Sequence, residues 1–349
     1  MKLLPLVTRT YDGRRLNDTY RQLRVVVGGG VCLLPSMNSI GDANELLVST
    51  IRSIDSMPLN ELLNISWQMR KESRPPVFEA VYPSGTVSIS VTGSACLLQC
   101  PHCGGRYLEH MVPVGALDSV LERNDVKSIL LSGGCTKHGQ VPLIDHIDYV
   151  KDRISRSGKN IRVNAHPGVA DKEDAARIGE FASVISYDFV LDDVTIQECF
   201  GFELSGEDYV NALRNLRKGT AKVVPHVLVG LYKGTIRGEY EAIEFLSNEG
   251  IKEIIVIVFI PTPGTRWEHL PPPDIDGVLS LLAWTRINNP EMKITLGCMR
   301  PHGAYREKLD LRAVEAGVDG IVLPHRRAIR EAEEKGLEIL RKEECCAFD

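Results

Sequence analysis

Residues 86–105 read TVSISVTGSACLLQCPHCGG, and the fold is read outward from this stretch. Its first six residues set Thr86, Val87, Ile89 and Val91 around two serines, a composition that suits a pleated strand at 86–91. The same kind of short β-branched run returns at 128–131, 161–164, 184–189, 223–229, 254–259, 294–296 and 320–323. Helical patterns separate the runs, for example at 117–122, 209–216, 239–248 and 310–316. Buried strands joined by helical crossovers imply a parallel sheet. Eight such units in about 260 residues match the size of a (β/α)8 TIM-type barrel, with a doubly wound open sheet as the structural alternative. The expected layout is an N-terminal extension (1–80), the barrel (81–336) and a Cys-containing C-terminal tail (337–349).

A barrel places its chemistry at the C-terminal ends of the strands. The unusual residues fall there. In strand order they are 93–103, Ser132-Gly133-Gly134-Cys135, 164–166, Asp192-Asp193, Gly230, 261–265, 297–300 and Pro324-His325. Residues 1–80 lack this rhythm; they contain Gly28, Gly29, Gly30, Cys32, a helical pattern at 42–53 and a Pro break at Arg74-Pro75-Pro76.

Composition excludes several classes. The chain has 349 residues, 41 Lys+Arg against 46 Asp+Glu, and a formal charge of −5, which argues against a nucleic-acid partner. Its apolar runs are shorter than the roughly 18 residues of a membrane span, and the N-terminus has no signal-peptide cleavage pattern. Nine cysteines, an odd number with three inside eight residues, suit metal or redox chemistry in a reducing compartment. The expected compartment is the cytoplasm.

Cys96, Cys100 and Cys103 form Cys-x3-Cys-x2-Cys in the loop after the first strand. Three thiolates on one short loop suit a [4Fe–4S] cube and leave one iron open to a further ligand. Zinc is the rival; it wants four ligands, and His102 between Cys100 and Cys103 is a strained fourth. A zinc-binding scaffold without chemistry is therefore the non-enzyme alternative.

The stretch SVTGSACLLQCPHCGG resembles the cluster loop of the radical S-adenosylmethionine (SAM) superfamily, and residues 80–330 resemble its biotin-synthase-like branch. The resemblance implies that SAM chelates the open iron, that electron transfer cleaves it to a 5′-deoxyadenosyl radical, and that this radical takes a hydrogen atom from the substrate. It further implies cofactor contacts at His102 (usually aromatic in the family), Gly133, Gly134, Asp193 and Gly230. Cys135 stands where the family carries an acid after two glycines. Asp is also a favoured helix cap, the plain reading of Asp193.

Within that branch, SGGCTKHGQVPL, DDVTIQECFG, PHVLVGLYKGTIRGE and LGCMRPHG resemble the second component of the split, two-protein lipoyl synthase. That likeness implies sulfur insertion into an octanoyl chain on a lipoyl carrier protein. Its implied partners are a second radical SAM subunit and a ferredoxin- or flavodoxin-type electron donor. Sulfur insertion needs a source. Cys345 and Cys346 could fold over the barrel mouth, meet Cys298 and, with Cys32, hold an auxiliary [4Fe–4S] cluster. Other biotin-synthase-like rearrangements or cofactor-maturation reactions are the enzymatic alternative. Cys199 reads as core, His166 and His226 as strand-end or core histidines. Arg300, His302, Arg306, Lys308, Arg312, Arg326, Arg327 and Arg330 read as solvated helix faces, or as a surface for an acidic carrier.

Overall fold

The computed structural model describes residues 57–349 apart from 202 and 203, together with the backbone of β1 (Arg24–Val27) and β2 (Gly30–Leu33). These two strands form an antiparallel pair within a unit spanning residues 1–56. The expected helix at 42–53 and the side chain of Cys32 lie outside the described residues.

The second unit begins with α1 (Leu59–Ser73) and β3 (Val77–Val81), then β4 (Thr86–Ser90), β5 (Val112–Pro113), α2 (Leu117–Glu122), β6 (Ser128–Ser132), α3 (Ile147–Ser157) and β7 (Arg162–Ala165). It continues with α4 (Lys172–Phe181), β8 (Val184–Asp188), α5 (Asp193–Phe200), α6 (Gly206–Leu216), β9 (Lys222–Val229), α7 (Glu239–Asn248) and β10 (Glu253–Val258). The chain ends with α8 (Ile275–Asn288), β11 (Lys293–Leu296), α9 (Ala304–Glu315), β12 (Gly320–Val322), α10 (Arg326–Glu334) and β13 (Glu338–Lys342).

The eleven strands from β3 onward make one sheet in the order β13-β3-β12-β11-β10-β9-β8-β7-β6-β4-β5, and every ladder in it is parallel. The eight strands expected from the sequence are β4 and β6 to β12, side by side in chain order, as a TIM-type α/β barrel requires. Three strands had no clear signal. β5 is two residues long, β13 is EILRK with its side chains mostly exposed, and β3 is a five-residue run beside Pro75-Pro76. The sheet therefore starts before residue 81 and ends after residue 336.

Central strands are buried on both faces; β10, EIIVIV, is buried throughout. α1 is tied to the same unit by charge. Asp319, in the turn before β12, accepts from Arg286 of α8 at 2.6 Å, from Arg74 at 2.9 Å and from the Ile294 amide at 2.8 Å. Arg70 of α1 is fully buried and donates to the Val77 and Val318 carbonyls.

After β13 the chain turns beneath the sheet. Gly85 donates to the Glu343 carbonyl, the Cys345 amide to Thr86 Oγ1, and Arg162 pairs with Glu344. Lys222 meets Asp349 at 2.5 Å, and Phe348 is 3% exposed. Thr86, Arg162 and Lys222 each begin a strand, so the tail closes the N-terminal end of the barrel. Cys346, Ala347 and Phe348 pack there with Val81, Val184, Val224, Ile255 and Val322.

Candidate functional site

The cysteine loop leaves β4 at Ser90, whose hydroxyl donates to the Gly93 carbonyl at 2.6 Å. Gly134 holds the loop from below. Its amide donates to Thr92 Oγ1 at 2.7 Å, and a Cβ on it would run into the Ala95 carbonyl and stand 2.7 Å from the Cys96 Cα. Leu97 then donates to the Cys135 carbonyl at 3.0 Å. The glycine is thus required by a backbone-to-backbone approach. Gly133 is nearly as tight, with a Cβ falling 3.0 Å from Val91 Cγ2. From the other side, Trp267 donates to the Pro101 carbonyl and Tyr107 meets Thr262 at 2.7 Å, so the loop is gripped by segments following β6 and β10.

The ligating atoms of Cys100, His102 and Cys103 lie within 4.8 Å of one another. The Cys100 thiol hydrogen-bonds Cys103, which holds Cys103 down to about 4 and pushes Cys100 up. The Gly105 amide and His102 also stabilise the Cys103 thiolate. Burial raises Cys135 to about 12, and the charges of Cys96 and Cys103 add to that effect. Cys135 therefore borders the loop cysteines instead of carrying an acid there. Cys199, expected as core, is buried on α5 with its sulfur 3.0 Å from His102 Nδ1. Helical spacing alone gave it no link to a loop nearly a hundred residues away.

Gly230 directly follows β9, and Asp193 is the first residue of α5, in the segment after β8. The N-cap of α5 is Asp192, which accepts from the Thr195 amide at 2.8 Å; Asp193 accepts from the Gly206 amide at the start of α6. Gly230 has φ +78°, and a Cβ there would stand 2.7 Å from Pro273. Its amide donates to Glu239, whose carboxyl burial lifts to about 7.

The barrel interior carries a polar row the sequence did not announce. His166 lies 3.2 Å from Ser132 Oγ through Nδ1 and 3.3 Å from Asp188 through Nε2. Burial opposes charge on Asp188, but His166 and His226 overcome it and hold the carboxyl at about 2. Burial lowers His226 to about 4, leaving it neutral. Asp188 is the last residue of β8 and had no motif around it.

The terminal cysteines enter the barrel from the end opposite the expected mouth. Asn164 Nδ2 donates to Cys345 Sγ at 3.3 Å and to Ser186 Oγ at 2.9 Å. The Cys346 thiol hydrogen-bonds Cys345 and holds it at about 6, while Cys346 itself is pushed up among apolar side chains. Cys298, after β11, is solvent-exposed, and its thiol is raised by burial of the surrounding site and by the charge of Cys345. Among the described residues, Cys298, Cys345 and Cys346 do not converge as tightly as Cys100, His102 and Cys103. Arg300 is fully buried in a bidentate pair with Asp310, at 2.7 and 2.8 Å, and shapes the segment after β11.

Three free thiols on one loop, with the Gly105 amide aimed at the Cys103 sulfur, suit the iron–sulfur group the spacing implies; Cys100 and Cys103 converge with His102, and Cys96 lies outside that trio. No helix among the described residues is long and apolar enough to cross a membrane. No protein-family model matches the chain, and no curated protein matches it in sequence. Solved structures do share its fold. Methylornithine synthase, PylB, superposes with a TM-score of 0.61 at 15% identity, over 84% of this chain and 94% of that one. HydG, a maturase of the [FeFe]-hydrogenase, gives 0.59 at 15% identity over 82% and 68%. HydG from Carboxydothermus hydrogenoformans gives 0.57 at 15% identity over 81% and 71%. At these identities the likeness is one of fold.

Proposed function

We propose that the chain is a radical SAM enzyme whose catalytic cluster is held by Cys96, Cys100 and Cys103. The carrying observation is the loop itself: three free thiols after the strand β4, clamped by Gly134 on a barrel of the PylB and HydG type. When bound, a [4Fe–4S] cluster with SAM supplies a 5′-deoxyadenosyl radical for hydrogen abstraction. The protein's own part is to fix the thiols, to keep the backbone of residues 133–134 close beneath them, and to shape the space after each strand. After β9 the Glu239 carboxyl fastens Gly230, and after β8 Asp193 accepts from the Gly206 amide. Production of 5′-deoxyadenosine and methionine from SAM, under anaerobic reduction, tests this reading. Its absence in an iron-replete protein would refute it.

For the reaction we propose sulfur insertion of the lipoyl synthase type into an octanoyl chain on a carrier protein. It would act with a second radical SAM subunit and a ferredoxin- or flavodoxin-type donor, and with an auxiliary cluster on Cys298, Cys345 and Cys346. Support comes from the tail: Cys345 is held inside the barrel by Asn164, within electrostatic reach of Cys298. A second reading, rearrangement or cofactor maturation, is favoured by the polar row Ser132–His166–Asp188–His226 and by the apolar packing of Cys346. Replacing Cys345 and Cys346 with Ser separates the two. Sulfur insertion predicts loss of auxiliary iron and of sulfur transfer to an N-octanoyl-lysine peptide; the second reading predicts that neither changes.

A further inference from the structure

His102 occupies the position before the third loop cysteine, and its ring sits among three sulfurs. Nδ1 of His102 faces the Cys199 sulfur at 3.0 Å. Its ligating atom lies within 4.8 Å of both Cys100 and Cys103 sulfurs. The ring plane is set by Phe200, whose edge-to-face contact has centroids 6.1 Å apart at 86°. Cys199 and Phe200 are consecutive on α5, a helix capped by Asp192 at one end and by Gly201, with φ +68°, at the other. A side chain needing only bulk here would not require a buried thiol beside its nitrogen.

A neutral imidazole has one N–H and one lone pair. If the Cys199 S–H fills the Nδ1 lone pair, the proton sits on Nε2, and Nε2–H is free to donate to Cys103. A donor aimed at a cluster sulfur stabilises the more negative, reduced state and raises the reduction potential. An outer partner that fixes the tautomer of such a donor is the arrangement familiar around metal-bound histidines.

We propose that His102 donates a hydrogen bond to the Cys103 thiolate and sets the reduction potential of the loop's cluster, with Cys199 as the positioning residue that fixes its tautomer. The assignment rests on the proposed cluster at Cys96, Cys100 and Cys103. It makes His102 an electronic element of the site, beyond any packing role.

The test is an EPR-monitored redox titration of the reconstituted protein, following the signal that changes on SAM addition, with iron and sulfide measured on each sample. His102→Phe is expected to shift the midpoint to more negative potential at unchanged iron content. Cys199→Ala is expected to shift it the same way by less. Cys199→Ser, whose hydroxyl can serve the same nitrogen, is expected to restore the wild-type value. The His102→Phe/Cys199→Ala pair is expected to match His102→Phe alone, because Cys199 acts through the ring. Equal midpoints across an iron-replete set, or additive shifts in the double variant, would overturn the assignment and leave the cluster reading intact. A wild-type protein that binds no loop iron would sink the cluster reading, and this assignment with it. If His102→Phe fails to assemble, the two Cys199 variants decide the matter.

Discussion

The two ends of the barrel both carry cysteines, but they are built in opposite ways. At the C-terminal end, Cys96, Cys100 and Cys103 sit on a loop made of turns: Gly93, Gln99, Gly104 and Gly105 all have positive φ. Leu97 in its middle is 71% exposed. Hydrogen bonds and close backbone contacts with residues 133–135, Thr262 and Trp267 hold it. At the N-terminal end, Cys346 belongs to an apolar cluster with Phe348, Glu344 and Asp349 bind the rim, and Lys342 of β13 donates to the Phe348 carbonyl. A loop held by glycine contacts leaves its sulfurs accessible to a ligand. A floor held by packing makes its sulfurs part of the core and positions Cys345 for whatever occupies the interior.

The contrast predicts unequal consequences for stability and for metal binding. The largest stability loss is expected at the floor. Phe348→Ala should destabilise by about 3–5 kcal/mol in urea unfolding, with iron retention by the loop unchanged. A loss under about 1 kcal/mol would mean that the tail is not part of the core. Gly134→Ala should cost less, about 1–3 kcal/mol, because the loop can move away. Displacing the Ala95–Cys96 backbone should nonetheless weaken iron retention clearly. Normal iron content in this variant would break the argument that the glycine clamps the loop.

The interior row gives a pH signature between these extremes. His226 is held near 4 when folded, below the usual histidine value. As pH falls from about 6.5 toward 4, the unfolded chain takes up a proton the folded chain refuses, so stability drops. His166 is shifted the other way, upward; its contribution is fully present at low pH and is lost as pH rises through its folded value. His226→Phe should flatten the acid limb of a stability–pH curve, and an unchanged limb would remove His226 as its cause. The smallest effect is expected at the exposed Lys127–Glu343 pair on the rim, where Lys127→Met should leave the urea midpoint unchanged. A marked drop would show that rim charges, rather than Phe348 and its neighbours, hold the floor.

The eight central strands were legible because they are short runs rich in β-branched residues, separated by helical patterns. The loop cysteines were legible because their spacing is itself the signal. Gly133 and Gly134 were legible as glycines but not as a clamp, since the clash partner, Ala95, lies in another β/α unit. Asp188 with His166, and Cys199 with His102, pair across sequence separations that no local period encodes. The tail's destination was expected at the wrong end. Glu343 to Asp349 look like a solvated terminus until β13 pairs with β3 and delivers them to the charged starts of β7 and β9.

The most direct measurement of the central claim is metal and sulfide content after anaerobic reconstitution, for wild type and for the Cys96→Ala/Cys100→Ala/Cys103→Ala variant. The account predicts that the variant loses about four irons and four sulfides relative to wild type. Equal iron in both, or zinc in place of iron at these thiols, would contradict it.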